Sequence, residues 1–252
     1  MVQEVSAALV VIGNEVLSGR TQDLNLRHIA LGLNGIGVRL REVRVIADVE
    51  VAIIAAVNEL RPRHDYVFTT GGIGPTHDDI TAGSIAKAFG VELRRDPEAV
   101  ERLSRIIRPE DLNEARLRMA DIPEGGELID NPVSQAPGFR LGNVYVMAGV
   151  PRIMQGMFDG LLPTLKGGAP MLAAAITLYT REGTIATPLA AIQDATPDVE
   201  IGSYPFFKDP VSGTVIIARG TDTAMLTQTI ARVRSMAEAA GVRTADGDQS
   251  PA

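Results

Sequence analysis

The sequence predicts an α/β protein with a mostly parallel sheet, followed by a smaller α+β unit. Three observations lead there. Over residues 7–165, short apolar runs alternate with helical stretches, and a β-α-β-α-β order folds into parallel strands joined by right-handed crossovers. Apolar residues make up 45 % of the 252, aromatics only 4 %, and tryptophan is absent. The core must therefore be Val, Ile, Leu and Ala, which suits buried parallel strands. After the KGGAP stretch at 166–170, the pattern changes to strand, helix, strand, strand, helix.

Residues 7–12 (AALVVI) are a continuous apolar run ending in Gly13, the mark of a buried strand. Residues 24–33 read as a helix, with Leu24, His28 and Leu31 on one stripe and Gly35 as its stop. Residues 38–46 alternate through Val38, Leu40, Val43 and Val45 as a strand, and Asp48 follows its carboxyl end. A helix at 49–60 places Val49, Ile53, Ala56, Val57 and Leu60 on one face, with Pro62 just beyond it. Residues 65–70 (DYVFTT) form the third strand, and a glycine loop then leads into a helix at 79–89. Further helices are expected at 98–107, 111–119 and 153–165, and short strands at 127–129, 138–141 and 143–147. The second unit reads as strand 172–179, helix 184–195, strands 200–204 and 213–218, and helix 223–239. The expected domains are 1–166 and 171–240, with 241–252 a polar, disordered tail.

Composition excludes several function classes. A net charge of −7 argues against a general nucleic-acid scaffold, although a local loop still supplies donors for phosphate. Of the three lysines, Lys87, Lys166 and Lys208, none sits in a GxxxxGK[ST] pattern, so a P-loop is excluded. The absence of cysteine removes disulfides, thiolate metal sites and cysteine nucleophiles together, and fits a reducing cytosol. The first apolar run is too short for a signal and has Glu4 ahead of it, and no window is long enough to span a membrane. A cytoplasmic protein without a membrane partner is expected. His28 is expected to pack on its helix stripe, His64 to be solvated and His77 to lie in the glycine loop; their spacing does not suit a histidine zinc site.

In open parallel sheets, ligands sit at the carboxyl ends of strands. Gly13 to Glu15, Asp48 and residues 71–79 each directly follow a strand, so three polar features converge on one rim. In the loop at 69–81 (TTGGIGPTHDDIT), Gly71, Gly72 and Gly74 allow positive φ and expose backbone N–H groups. Such a turn can form a nest for an anion, helped by the positive end of the following helix. Thr69, Thr70 and Thr76 offer hydroxyls, and Asp78 and Asp79 place two carboxylates beside the bound phosphate. Carboxylates next to phosphate make sense when Mg²⁺ bridges them, and a metal there polarises a phosphoryl oxygen or positions a water. Each feature also has a plainer explanation. Thr76 and Asp79 fit a capping box, Asp48 can cap the helix at 49, and Glu15 and Asp23 suit a helix dipole. Asn25 is open between a cap and a ligand contact. The combination predicts a site for a phosphate-bearing ligand and a divalent metal.

Four segments also carry a family likeness: residues 13–25 (GNEVLSGRTQDLN), 69–81, 131–139 (NPVSQAPGF) and 148–154 (AGVPRIM). With them the chain resembles the MoaB/Mog-type molybdopterin-binding domain, and more closely the N-terminal part of the competence/damage-inducible protein A (CinA) group. The second unit resembles that group around residues 198–206 (DVEIGSYPF). The resemblance implies a three-layer α/β/α domain. It implies that Asp79 is metal-associated, that Asp48 is a second functional acid, and that Gly71, Gly72 and Gly74 form the phosphate or pterin loop. The catalytic candidates are then Asp79 and Asp48, and the metal candidates Asp79 and Asp78. The candidate ligand contacts are Thr70, Gly71, Gly72, Ile73, Gly74, Pro75 and Thr76, with Gly13, Asn14, Glu15, Asn25, Pro137 and Gly138 around them.

In the wider family this fold binds molybdopterin, and some members adenylylate it with Mg²⁺ and ATP. Members like the N-terminal part of CinA are linked to hydrolysis of ADP-ribose-type diphosphates, and a related domain accompanies FAD synthases in eukaryotes. The leading expectation is a metal-dependent nucleotide pyrophosphatase acting on ADP-ribose- or FAD-like diphosphates. The alternatives are a molybdopterin adenylyltransferase step and a non-catalytic pterin- or nucleotide-binding protein. Mg²⁺ or another divalent metal, a bound pterin or adenine nucleotide, and a homo-oligomer (dimer or trimer) are implied. There are departures. No stretch for a C-terminal amidase domain follows, so deamidation is not expected. Ile153 stands where the family carries Glu, and His77 where an acid is common. The second unit has a KH-like look but lacks a basic GxxG clamp, and its 208–213 loop contains Asp209, so RNA binding is not expected.

Overall fold

A computed structural model describes residues 4–208 and 211–249; Asp209 lies outside them. The chain divides into two compact units between Ala169 and Pro170.

The first unit runs β1 (Val5–Ile12), α1 (Asn14–Leu17), α2 (Asn25–Gly35), β2 (Val38–Ile46), α3 (Glu50–Leu60), β3 (Tyr66–Thr70) and α4 (Thr81–Phe89). It continues through β4 (Leu93–Arg95), α5 (Pro97–Ser104), α6 (Glu114–Leu117), β5 (Asp121–Pro123), β6 (Glu127–Ile129), β7 (Gly138–Leu141), β8 (Val144–Met147) and α7 (Pro151–Leu161). Six strands form one sheet in the order β2-β1-β3-β8-β7-β6. The first four are parallel, and β7 and β6 are antiparallel additions. Because β1 has β2 on one side and β3 on the other, the strand order reverses between β1 and β3. That reversal opens a crevice at their carboxyl ends.

Strand β1 shows why the domain has three layers. Ala8, Val10 and Ile12 pack with α3 and α4 through Ile53, Val57, Leu60 and Ile85. Ala7, Leu9 and Val11 point the other way, onto α2 and α7 through Ile29, Leu33, Met154 and Phe158. Both faces are apolar, so β1 reads as one continuous run rather than an alternation. Truncating a fully buried side chain such as Leu33 costs about 2–5 kcal/mol.

Several local expectations are corrected. On α2 the buried face is Asn25, Ile29 and Leu33, while Leu24 and Leu31 are more than half exposed. Positions i, i+4 and i+8 share a face, and the 24/28/31 stripe lies off it. His28 is only partly covered; it pairs with Asp159 at 2.6 Å and meets the edge of Phe158. His64 is not solvated: its side chain is 7 % exposed, with Glu42 3.8 Å away. The helix expected at 111–119 is broken, because the Asn113 side chain accepts from Arg116 N–H and restarts the chain as α6. The closing helix begins earlier than expected, with Pro151 at its first turn, and ends at Leu161 before a short 3₁₀ turn. Strands β4 and β5 were not foreseen; they pair antiparallel, and Arg95 bridges Asp121 and Glu114.

The second unit runs β9 (Leu172–Leu178), α8 (Glu182–Asp194), β10 (Glu200–Lys208), β11 (Val211–Gly220), α9 (Thr223–Ala239) and β12 (Thr244–Asp246). Its sheet is antiparallel throughout, in the order β10-β11-β9-β12. Ile176, Leu178, Ile185, Ile216 and Val233 form its core. The expected disordered tail is corrected for residues 244–249. β12 pairs with β9, and the buried Thr177 hydroxyl donates to Gly247 O and accepts from Gln249 N–H. A polar composition does not prevent ordering where a sheet edge offers backbone partners. Among the described residues no helix is long and apolar enough to cross a membrane.

Candidate functional site

At the reversal between β1 and β3 lies a cleft of about 540 Å³. Its walls come from the strand-end loops of the parallel sheet and from the segment before β5. The turn after β1 contributes Glu15, the turn after β2 contributes Asp48, the loop after β3 contributes residues 71–75 with Asp78 and Asp79, and the loop after β8 contributes residues 148–151. Met119 closes one side and Ile153, on α7, another.

The glycine loop is fixed by contacts that exclude side chains. Gly71 has φ +105°, and a Cβ there would lie 2.1 Å from the Ile12 carbonyl oxygen. Gly72 has φ +67°, and its Cβ would lie 2.2 Å from Thr81 Oγ1. Thr81, fully buried at the first position of α4, donates its hydroxyl to Gly71 O and its N–H to Gly72 O. This clamp residue was missed as a site residue, although it ends the TTGGIGPTHDDIT motif. The amides of Gly72, Ile73 and Gly74 find no hydrogen-bond acceptor among the described residues. They are the free donors that the nest argument requires.

The capping-box geometry is present but does not start the helix. Asp79 Oδ2 accepts from Thr76 N–H and from the Thr76 hydroxyl, and Asp79 N–H donates to Thr76 O. Helix α4 nevertheless begins only at Thr81, after Ile80. The Thr76–Asp79 turn is therefore a free-standing clasp that presents Asp78 and Asp79 to the cleft. The Asp78 carboxyl is held below its ordinary value, by the neighbouring Thr76 hydroxyl and then by the backbone N–H of Asp78 itself. His77 projects into solvent, 96 % exposed, and does not line the cleft.

Asp48 is not the cap of α3. That helix has Val49 at its N-cap, with no side-chain cap bond. Asp48 Oδ2 instead accepts from Asn14 N–H at 2.8 Å, tying the β2 turn to the β1 turn across the rim. Gly13 N–H donates to Ile46 O beside it. Asp48 and Asp79 each keep Oδ1 without a hydrogen-bond partner among the described residues. Asn25 is 3 % exposed, and its Nδ2 donates to Gly149 O, so it joins α2 to the β8 loop. Asn25 does not cap α2: Leu24 is at the N-cap, and the Leu26 N–H of the first turn donates to Asp23 Oδ1.

The structure thus brings Glu15, Asp48, Gly71, Gly72, Ile73, Gly74, Pro75, Asp78 and Asp79 to one cleft. Gly13, Asn14 and Thr76 shape its rim without lining it. Pro137 lines a small side cavity next to Gly72 and Asp79. Gly138 is not at the cleft: it lies buried in β7, where a Cβ would meet the Val146 carbonyl oxygen at 2.2 Å, so strand packing accounts for it. Asn131 was passed over as a site residue. It knots the 131–136 loop by accepting from Val133 and Ser134 N–H and donating to Ala136 O, which sets that loop as a cleft wall.

Residues 8–167 match the family described as probable molybdopterin binding domain. The chain belongs to this molybdopterin-binding-type family. Residues 170–246 match the FAD synthase middle domain. A protein of Archaeoglobus fulgidus is 37 % identical over 198 residues, covering 78 % of this chain and 84 % of that one. A CinA-like protein of Desulfosudis oleivorans is 36 % identical over 209 residues, covering 78 % of this chain. The match spans only about half, 51 %, of that relative's length. The crystal structure of CinA, of unknown function, from Thermoplasma acidophilum is 33 % identical, with a TM-score of 0.61. That similarity covers 64 % of this chain and 99 % of the other. The MoaB/Mog-type fold and the likeness to CinA read from the sequence are borne out, and both matched families are nucleotide- or pterin-related.

Proposed function

We propose that the first unit is a nucleotide-diphosphate hydrolase that cleaves the pyrophosphate link of ADP-ribose- or FAD-like molecules in the cleft between β1 and β3. The observation that carries this reading is the pairing of free loop amides with carboxylates in one cleft that, among the described residues, no lysine or arginine lines. Among the described residues the amides of Gly72, Ile73 and Gly74 have no acceptor, whereas Glu15, Asp48, Asp78 and Asp79 line the same space. Two like charges 4 Å apart near a protein surface repel by about 4 kcal/mol. A diphosphate therefore enters such a site as the complex of a divalent cation.

The donor set suits a cation shared with the ligand rather than one caged by protein. Among the described residues no group of three or more acids or histidines is arranged to hold a metal. Mg²⁺ is commonly held by one or two carboxylates plus substrate phosphates. Asp79 and Asp78 would hold it, and it would supply polarisation of a phosphoryl oxygen. The loop amides donate to the phosphate oxygens and stabilise the charge that builds there. The free Oδ1 of Asp48 orients a water and accepts its proton. The water oxygen bonds to one phosphorus, the bond from that phosphorus to the bridging oxygen breaks, and two monophosphates leave.

The test is to incubate the pure full chain with ADP-ribose and with FAD, with Mg²⁺ or with chelator, and to follow AMP release. The wild type should release AMP only with the metal, and Asp79→Asn should slow it by about 100-fold, the order seen when one stabilising group is removed. Hydrolysis by Asp79→Asn at the wild-type rate sinks the catalytic assignment. A second reading, binding without turnover, is favoured by the apolar Ile153 in the wall. A ligand-dependent rise in Tm with no AMP formed selects it.

A further inference from the structure

Beneath the cleft, between the N-terminus of α2 and the ends of β1 and β3, lies a second cavity of about 30 Å³. It shares Glu15, Thr21, Gly149 and Pro151 with the cleft, so the two spaces adjoin. Of the polar side chains that line it, Glu15, Thr21, Gln22, Asp23, Asn25 and Thr70, two are buried, Asn25 and Thr70, 3 % and 1 % exposed. Among the described residues, Asn25 Oδ1 and Thr70 Oγ1 both lack a hydrogen-bond partner. The amide of Asn25 has only one orientation, because its nitrogen must face the Gly149 carbonyl. Oδ1 is thereby fixed as an acceptor. An unmet buried acceptor loses its hydration without compensation, so it calls for a donor. The space holds a water-sized group and is polar enough to keep it.

We propose that this cavity is a donor subsite of the cleft: Asn25 Oδ1 and the Thr70 hydroxyl hold one water in the free protein, and a ligand hydroxyl or amino group takes the same position when the cleft fills. The ligand half of this statement rests on the cleft being a nucleotide site; the water half does not. Thr69 supplies an internal control. Its hydroxyl is equally buried and equally unpartnered, one residue earlier on β3, yet it lines neither cavity. Replacing a truly unsatisfied buried hydroxyl by a methyl is neutral or stabilising, whereas replacing one that holds a water leaves that water and Asn25 short of a partner.

The experiment compares Thr69→Val with Thr70→Val in the full chain. Thr69→Val should keep or raise Tm, while Thr70→Val should lower it by about 2–4 °C, the shift expected for one lost buried hydrogen bond at this size. A wild-type crystal structure at high resolution should show one water between Asn25 and Thr70, absent in Thr70→Val. In titrations with ADP-ribose and Mg²⁺, Thr70→Val should bind about 10-fold more weakly and Thr69→Val as the wild type. A Thr70→Val protein as stable as Thr69→Val, with no water in the wild type, overturns the subsite. Equal ADP-ribose affinity in both variants overturns its ligand role. If the wild type itself does not bind ADP-ribose, the hydrolase reading fails, while the Tm comparison and the crystal structure still decide the water.

Discussion

Asp222 and Asp48 each follow a strand that leads into a helix, and they do opposite things. In the antiparallel second unit, Asp222 follows β11 and caps α9, accepting from the N–H groups of Ala224 and Met225. In the parallel first unit, Asp48 follows β2, leaves α3 uncapped and reaches across to the Asn14 N–H of the neighbouring strand end. The local sequences look alike; the sheets differ. Parallel strands deliver their carboxyl ends to the same rim, so a polar residue there meets the turns of other strands. Antiparallel strands send alternate ends to opposite rims, so Asp222 meets only its own helix. The first arrangement concentrates Glu15, Asp48, the glycine loop and the Gly149 loop around one cleft. The second builds a small sheet whose strand-end aspartate serves a helix.

The largest expected effect is in the glycine loop. Gly71→Ala forces a side chain onto the Ile12 carbonyl at a positive φ, and should cost about 3 kcal/mol or more and abolish ligand binding. Gly241→Ala in the second unit has a positive φ of +68° but open space around it, and should cost only about 1 kcal/mol. Denaturant unfolding of the two variants measures the gap, and equal losses would break the comparison.

Next come the aspartates themselves. Asp222→Ala should cost about 1 kcal/mol, the value of an N-cap, and leave AMP release unchanged. Asp48→Ala should lose a similar amount of stability but most of the hydrolysis. Asp48→Asn should keep the Asn14 contact and the stability yet still lose activity, because the amide cannot take a proton from water. If Asp222→Ala slows hydrolysis as much as Asp48→Ala, the two strand ends are not functionally different.

The smallest effect concerns pH. Hydrogen bonding lowers the Asp78 pKa from an ordinary 3.8. The unfolded chain therefore takes up a proton first, so the stabilisation is fully present above about pH 4 and is lost as pH falls through the lower folded value. Asp78→Asn should flatten that part of the acid limb of the stability curve. An unchanged acid limb shows that the clasp at 76–79 adds nothing there.

Much of the rim was legible in the sequence because strand order alone places strand ends together. The glycine loop, Asp48 and Glu15 could be brought to one edge from apolar runs and their followers. What was not legible depends on contacts distant along the chain. Thr81 looked like the end of a motif, and only the folded loop shows it gripping Gly71 and Gly72. Gly138 looked like a ligand contact because it sits in a family motif, but a carbonyl of the next strand explains it. The α2 stripe was misplaced because Leu24 and Leu31 are apolar, whereas the residue that anchors the buried face, Asn25, is polar and is held by a loop 124 positions away. The ordered tail was missed because edge pairing is a property of β9, not of residues 244–249.

The proposed hydrolysis requires that the cleft admit a nucleotide diphosphate only together with a divalent cation. Calorimetric titration of ADP-ribose into the wild-type chain, with Mg²⁺ and then with chelator, tests this most directly. Saturable binding with the metal and none without it is the predicted result. Binding of equal strength in chelator would contradict it, because the carboxylates lining the cleft would then tolerate a bare diphosphate.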